Sequence, residues 1–445
     1  MRLGLIAMSG VRAHNPELTE LGLTLPGFVE RNKVIASLPS LGLLTLAGMT
    51  PEDVEVRYVE VPELAAVSGL PGEFDAVAIS SFSAQIKEAY QLADRYRAAG
   101  TTVILGGLHA SALPHEAGRH ADAVVIGEGE PVWPRLVAEL RSGQLQPVYD
   151  ARRAPFDLAE APMPAYHLLD IGRYNRLTVQ TQRGCPWRCD FCAASIRISP
   201  TYKLKPVAKV IGEIRRIKEQ WRRPFIEFAD DNSFVNKRHS KELLRALAGE
   251  RVRWFTETDV SVAEDDELLG LMRDSGCAQV LIGFESPSRS ALEGMEERKN
   301  WKAKQLERYA RAIARIQRLG ITVNGCFVLG LDGTDASSFD EVWAFVRDSG
   351  LYEVQITVLT PFPGTPLYER LRAGGRLLRE SAWELCTLFD VNFRPERMTV
   401  AELEAGFRAL AARLYSEEFT RQRREAFHDR LRSLHEARSH VQWEA

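Results

Sequence analysis

Cys185, Cys189 and Cys192 lie within the stretch Arg183-Gly184-Cys185-Pro186-Trp187-Arg188-Cys189-Asp190-Phe191-Cys192, separated by three and then two residues. Three thiolates on so short a segment can converge on one soft-metal site. They fall one short of a tetrahedral structural zinc site, which takes four ligands. Three suit a [4Fe-4S] cluster that keeps one iron open to a small molecule, since a purely structural cluster takes four cysteines. The bland alternatives are an incomplete zinc knuckle and a chance cysteine cluster. The remaining cysteines, Cys277, Cys326 and Cys386, stand alone in apolar surroundings and read as packing residues. A short apolar-alternating run at 177–181 precedes the trio, so the cysteines follow the end of a strand.

A chain of 445 residues has room for two domains to position that loop. In residues 1–145, apolar runs at 3–8, 54–61, 76–80, 102–105 and 123–126 alternate with helical patterns at 41–49, 86–99 and 132–140. Continuous apolarity means strands buried on both faces, hence a doubly wound parallel sheet whose ligands bind at the carboxyl ends of the strands. Those ends carry small residues: Ser80 and Ser81, Gly106 and Gly107, and Gly127-Glu128-Gly129-Glu130. Ordinary tight turns are the bland reading of each. The pattern is not the GxGxxG loop of a dinucleotide site. Residues 9–37 form a long connection on the same side of the sheet, and Pro155, Pro162 and Pro164 mark 146–175 as an extended linker.

A second domain over 176–375 repeats the alternation, with strands at 225–228, 253–256, 279–284, 322–329 and 353–359. Helical patterns at 206–220, 240–247, 266–274, 303–319 and 339–348 separate them. Polar groups gather at the strand ends: Asp230, Asp231 and Asn232, then Glu257 and Asp259, then Glu285 and Ser286. Capping and interstrand pairing are the structural reading of these side chains. The region 376–445 has helical periodicity at 381–389 and 400–415, with the second pattern running on toward 435.

Composition narrows the partners. The chain is 45% hydrophobic and 26% charged with a formal charge of −3, which gives no argument for nucleic acid or an anionic membrane as partner. No apolar stretch reaches 18 residues, so no membrane span is expected. Six cysteines without a disulfide pattern, and a first stretch that reads as a strand rather than a signal peptide, point to the cytoplasm.

The cysteine spacing, with Phe191 just before Cys192, resembles the signature of the radical S-adenosylmethionine (SAM) superfamily. The first domain looks like the cobalamin-binding domain fused to many of its members. The stretch 106–114 followed by Gly127-Glu128-Gly129-Glu130 resembles the subgroup of the anaerobic magnesium-protoporphyrin monomethyl ester cyclase and the hopanoid methylases. The resemblance covers residues 1 to about 370. It implies a doubly wound cobalamin-binding sheet, a partial (β/α)6 barrel and a helical C-terminal tail that closes the open side of the barrel. It also implies three cofactors: a [4Fe-4S] cluster on Cys185, Cys189 and Cys192, SAM and cobalamin.

By position, Ser80, Ser81, Gly106, Gly107, Gly127 and Gly129 would line the cobalamin pocket. Phe191, Asp230, Asp231, Asn232, Glu257, Glu285, Ser286 and Asn324 would surround SAM. The motif Asp-x-His-x-x-Gly is absent, and Leu108 before His109 does not restore it, so no histidine is expected beneath cobalt. Thr360-Pro361-Phe362-Pro363-Gly364-Thr365 resembles the Pro-x-Pro-Gly-Thr segment of cobalamin-linked members and is expected to shape the pocket. The implied activity is methylation of an unactivated carbon of a small molecule through a 5'-deoxyadenosyl radical, fed by a one-electron reductant such as flavodoxin or ferredoxin. The alternatives are a non-methylating cyclase, oxidase or rearrangement enzyme with the same cofactors, or a SAM-only enzyme with an idle cobalamin fold.

Overall fold

The computed structural model describes residues 1–11, 13–14, 38–154, 156–194, 198–199, 201–296 and 299–443. Most of the long connection expected at 9–37 lies outside the described residues.

The first domain is a six-stranded sheet built from β1 (Arg2–Met8), β2 (Glu55–Val61), β3 (Ala76–Ser80), β4 (Thr102–Gly106), β5 (Ala123–Ile126) and β6 (Val148–Asp150). All pairs are parallel, in the order β2-β1-β3-β4-β5-β6. Alternate residues feed two cores: Ile6, Val77, Ile79, Val103 and Leu105 enter one, Leu5, Ala76, Ala78 and Ile104 the other. Helices α1 (Leu41–Met49), α2 (Ile86–Ala98), α3 (Leu108–Ala112), α4 (Pro114–Ala117) and α5 (Trp133–Ser142) cover the faces. This two-sided burial produces the uninterrupted apolar runs in the sequence. The sixth strand, β6, falls where an extended linker was expected, so the sheet runs to residue 150. Strand order reverses between β1 and β3, which puts the ligand crevice at their carboxyl ends.

The second sheet contains β7 (Leu177–Val179), β10 (Phe225–Ser233), β11 (Arg253–Thr258), β12 (Cys277–Glu285), β13 (Thr322–Leu329) and β14 (Glu353–Val358). It is parallel throughout, ordered β14-β13-β12-β11-β10-β7, with β7 and β14 left as edges. A two-stranded antiparallel ladder, β8 (Gln182–Arg183) with β9 (Lys203–Leu204), stands beside it. Ile226, Phe228, Trp254, Val280, Ile282, Val354 and Ile356 belong to the large hydrophobic core. That core includes residues of α6 (Val207–Gln220), α7 (Lys237–Ala248), α8 (Asp266–Asp274), α9 (Tyr309–Gln317) and α10 (Ser337–Ser349).

The intervening residues, Glu227, Glu257, Gln279, Asn324, Gln355 and Thr357, make the other face polar. A sheet with one polar face has an interior built for chemistry rather than packing.

After α11 (Pro366–Ala373) the chain crosses back to the first domain. Only Trp383–Leu385 forms a helical turn where a helix was expected over 381–389. Trp383 is buried there, and its Nε1 donates to Glu116 of α4 at 3.1 Å. α12 (Val400–Leu414) and α13 (Glu417–Trp443) complete the chain as two separate helices. α13 packs at the amino ends of the strands, where Phe427 meets Tyr352 edge-on at 5.0 Å. The far tail thus lies at the opposite end from the strand termini expected to hold the site.

Candidate active site

The loop at 184–202 leaves from β8 and returns at β9, with Arg183 directly opposite Lys203. Gly184 has φ +91°, and a Cβ there would stand 3.0 Å from the Thr201 carbonyl, so the exit turn needs glycine. The Gly184 N–H donates to Asp231 Oδ2 at 3.1 Å, and Thr181 and Gln182 donate to Asp230 at 2.8 and 3.1 Å. The Thr181 hydroxyl and Ser233 Oγ add a third and a fourth bond to the Asp230 carboxylate. Burial lifts the Asp230 carboxyl to about 6 against the pull of those donors. Asp230 therefore holds the neck of the loop.

Within the loop, Cys189 is buried and bridges to Glu296, while Cys185 and Cys192 are half-buried. Burial raises the Cys185 thiol to about 12, with Cys192 and Asp231 adding to the rise. Cys189 is raised also by burial, and it too lies in the field of Cys192. The three sulfurs thus share one neighbourhood. Among the described residues no three His, Cys, Asp or Glu side chains are placed to hold a single metal ion.

Walls of named residues surround the loop. Trp187 stacks on Trp301 at 4.3 Å and donates its Nε1 to Asp259 at 2.9 Å. Asn232 donates to the same carboxylate, and its Oδ1 is a buried acceptor without a donor. Phe191 is half-buried against the large core. Asp190 pairs with Arg370 of α11.

Glu285 sits where β12 slips register against β13, with φ +62°. Its carboxylate pairs with Lys302, whose Nζ also donates to the Gly283 carbonyl at 3.0 Å. A side chain at 283 would collide with that carboxylate, so glycine makes its room. Ser286, beside it, is buried and accepts from Ser288 N–H at 3.0 Å. Glu257 opens into the polar recess although protein surrounds it. Its enclosure, with the carboxylates of Glu227, Asp231 and Glu285, pushes it up to about 8.

Asn324 is further down, third in β13 and fully buried, and both amide atoms lack partners. Cys326, expected as a packing residue, instead lies half-buried on the polar face. There burial and the carboxylates of Glu285 and Glu257 push its thiol up. Cys277 and Cys386 are buried as expected.

In the first domain, Ser80 ends β3 in register with Gly106 of β4. Gly107 has φ +96°, and a Cβ there would meet Ser80 Oγ at 3.2 Å. Ser81 is buried, and its hydroxyl donates to the Phe82 carbonyl at 2.9 Å. The Phe82 side chain is 53% exposed at this carboxyl edge, an apolar ring open to a ligand. His109 is buried, with Nδ1 3.0 Å from Ser83 Oγ and Nε2 3.3 Å from Glu116, so both ring nitrogens are engaged.

Gly127 N–H donates to Ser111 Oγ at 2.9 Å, and a Cβ on Gly129 would press on Leu46 at 3.3 Å. The acids that follow these two glycines, Glu128 and Glu130, turn toward the second domain. Glu128 bonds Arg183 at 2.7 Å and Lys203 at 2.5 Å, and Glu130 bonds Arg183 at 2.6 Å. These four residues, with Lys302, Trp187 and Trp301, are what sequence reasoning missed. The one available signal was a pair of acids in a glycine turn with no local cation.

The carboxyl edges of the two sheets therefore face each other. A second contact confirms it: Gly364, beyond β14, is so near Ala112 of α3 that a Cβ would lie 3.0 Å from its methyl. The residues present fit the groups that such edges hold. Burial raises the thiols of Cys185 and Cys189, and a metal-borne positive charge would let them become thiolates beside Cys192. The serine-glycine edge with the open Phe82 ring suits a large flat cofactor. Fold and site thus define a two-domain α/β enzyme with two opposed cofactor edges.

Comparison with known proteins agrees. Residues 179–346 match the model of the radical SAM superfamily, 31–137 that of the B12 binding domain, and 365–445 a domain of unknown function. Bacteriochlorophyllide d C-12(1)-methyltransferase of Chlorobaculum tepidum is 27% identical over 85% of this chain and 83% of its own. The hopanoid C-2 methylase of Rhodopseudomonas palustris is 28% identical over 78% of this chain and 67% of its own. The radical SAM methyltransferase TsrM from Kitasatospora setae, solved with cobalamin and a [4Fe-4S] cluster, shares the fold. It has a TM-score of 0.63 at 15% identity over 84% of this chain and 75% of its own. The chain thus carries a radical SAM domain together with a B12-binding domain. Its cofactors are a [4Fe-4S] cluster, SAM and cobalamin. No helix among the described residues is long and apolar enough to cross a membrane.

Proposed function

We propose that this protein is a cobalamin-dependent radical SAM C-methyltransferase that acts on an unactivated carbon of a small-molecule substrate. The observation that carries the reading is the opposition of the two carboxyl edges, which brings the three-thiol loop and the Ser80–Gly107 edge to one interface. Relatives covering most of the chain are named methyltransferases of ring and polycyclic substrates, which supports the same reaction type. When bound, the cluster and SAM supply a 5'-deoxyadenosyl radical, and cobalamin supplies a methyl group that SAM cannot deliver directly to such a carbon.

The chain's own side chains bind and exclude. Cys185, Cys189 and Cys192 would hold the cluster, and the stacked Trp187 and Trp301 would shield it from water. The unpartnered Asn232 Oδ1 and the carboxylate of Asp231 would accept from the ammonium of SAM, and Glu285 and Ser286 would serve its ribose. Asn324 and Glu257 line the recess beneath, and Gly106, Gly127 and Gly129 keep the cobalamin edge clear of side chains. Both His109 nitrogens are engaged by Ser83 and Glu116, so His109 would not serve as a ligand to cobalt. Electrons come from a small one-electron donor such as flavodoxin or ferredoxin, in the cytoplasm, where cysteines outside disulfides remain reduced.

Methyl-deuterated SAM tests the reaction. The substrate should gain the labelled methyl group while one SAM yields S-adenosylhomocysteine and another 5'-deoxyadenosine. A product of unchanged carbon count, with 5'-deoxyadenosine alone, would make the enzyme a cyclase, oxidase or rearrangement enzyme.

A further inference from the structure

Arg183 and Lys203 are cross-strand neighbours in a two-residue ladder, and both are cations. Like charges directly opposite in an antiparallel pair repel. This ladder is the neck of the loop that carries the cluster cysteines, since residues 184–202 leave and return through it. Beyond the ladder a main-chain bond continues the neck, from Lys205 N–H to the Thr181 carbonyl at 2.9 Å.

The counter-charge comes from the other domain. The Glu128 carboxylate spans the pair, one oxygen 2.7 Å from Arg183 and the other 2.5 Å from Lys203. Glu130 takes the second terminal nitrogen of Arg183 at 2.6 Å, and Gln180 Oε1 takes Nε at 3.3 Å. All four charged side chains are nearly buried, with exposures of 12, 12, 5 and 9% for Arg183, Lys203, Glu128 and Glu130. Water therefore screens the Arg183–Lys203 repulsion poorly, and the two carboxylates carry the neutralisation.

We propose that Glu128 and Glu130 are positioning residues that close the neck of the cluster loop from the first domain. The cluster cage is then complete only when the two domains are docked. The inference rests on the proposed function only in taking loop 184–202 as the cluster site. It assigns a job to two acids in a turn whose glycines alone were expected to matter.

The test uses the full-length protein, reconstituted anaerobically with iron and sulfide, with neither SAM nor cobalamin added. Glu128→Gln keeps the shape and removes the charge. It should lose cluster iron roughly twofold or more, as expected when a buried charge pair is left unbalanced. Amide deuterium uptake at 181–184 and 203–205 should rise with it. Adding Lys203→Met in the same chain removes the repulsion and should restore both readouts. A merely destabilised domain would not recover when a second buried group is cut away.

Full cluster content with unchanged exchange in Glu128→Gln would overturn the inference, and so would a loss that Lys203→Met fails to reverse. If the wild-type protein held no cluster, the cluster assignment would fall, and the exchange readout would still decide whether Glu128 closes the neck.

Discussion

Buried thiols at the domain interface mark the difference between a ligand and a packing residue. Cys189 is as deeply placed as Cys277, yet Cys189 lies in the field of Cys192, Lys302 and Glu285 whereas Cys277 bonds only the Gln279 carbonyl. Replacing Cys185, Cys189 or Cys192 with alanine should therefore abolish reductive SAM cleavage. Cys277→Ala should keep it and cost about 1 kcal/mol of stability from lost burial. Iron analysis with a 5'-deoxyadenosine assay checks both, and normal cleavage by Cys189→Ala would refute the ligand set.

Spacing made the trio legible because its chemistry is local in sequence. The partnership of Glu128 with Lys203 was not legible, since 75 residues separate them and each looks solvated in its own segment. Asp230 was legible as a strand-end acid, but not that three of its four bonds would be spent on the loop neck.

Burial periodicity decided what could be read of the elements. The inner strands of the first sheet are apolar at nearly every position because both faces are packed, whereas the edge strand β2 also carries Glu55, Arg57 and Glu60. Each was visible except β6, whose Val148-Tyr149-Asp150 buries only its centre. The second sheet was visible through its outer face, and β10 runs on to Ser233 beyond the expected four residues because its polar half faces the recess. The pattern at 381–389 failed as a helix because Trp383 and Cys386 are drawn into the core of the first domain. That tertiary contact overrides the local periodicity.

α13 makes the prediction at this scale. Arg423 and Arg424 stand beside Glu353, which is 1% exposed at the start of β14. Deleting 416–445 strands that carboxylate, at a cost of about 3–5 kcal/mol, and should lower the melting temperature by roughly 6 °C or more. Arg423→Met should reproduce part of the loss. An unchanged melting temperature after the deletion would show that Glu353 needs no partner.

At the scale of the molecule, the two domains are fastened at separate points. The ion network at the Glu128 turn fixes the carboxyl edges, and Trp383 with Glu116 anchors the first domain from the side. Between those fastenings the glycine turn at 364 keeps the surfaces close, since a Cβ there would lie 3.0 Å from the Ala112 methyl. Such geometry serves a reaction in which two cofactors must act on one substrate in turn, because placement removes the cost of bringing them together.

The most direct test of that claim needs no substrate. Reconstituted protein with reductant and SAM should make 5'-deoxyadenosine with or without cobalamin, and S-adenosylhomocysteine only when hydroxocobalamin is added. Gly107→Val, which places a branched side chain against Ser80 at a positive φ, should remove the S-adenosylhomocysteine and spare the 5'-deoxyadenosine. Finding 5'-deoxyadenosine but no cobalamin-dependent S-adenosylhomocysteine from the wild-type protein would contradict the account.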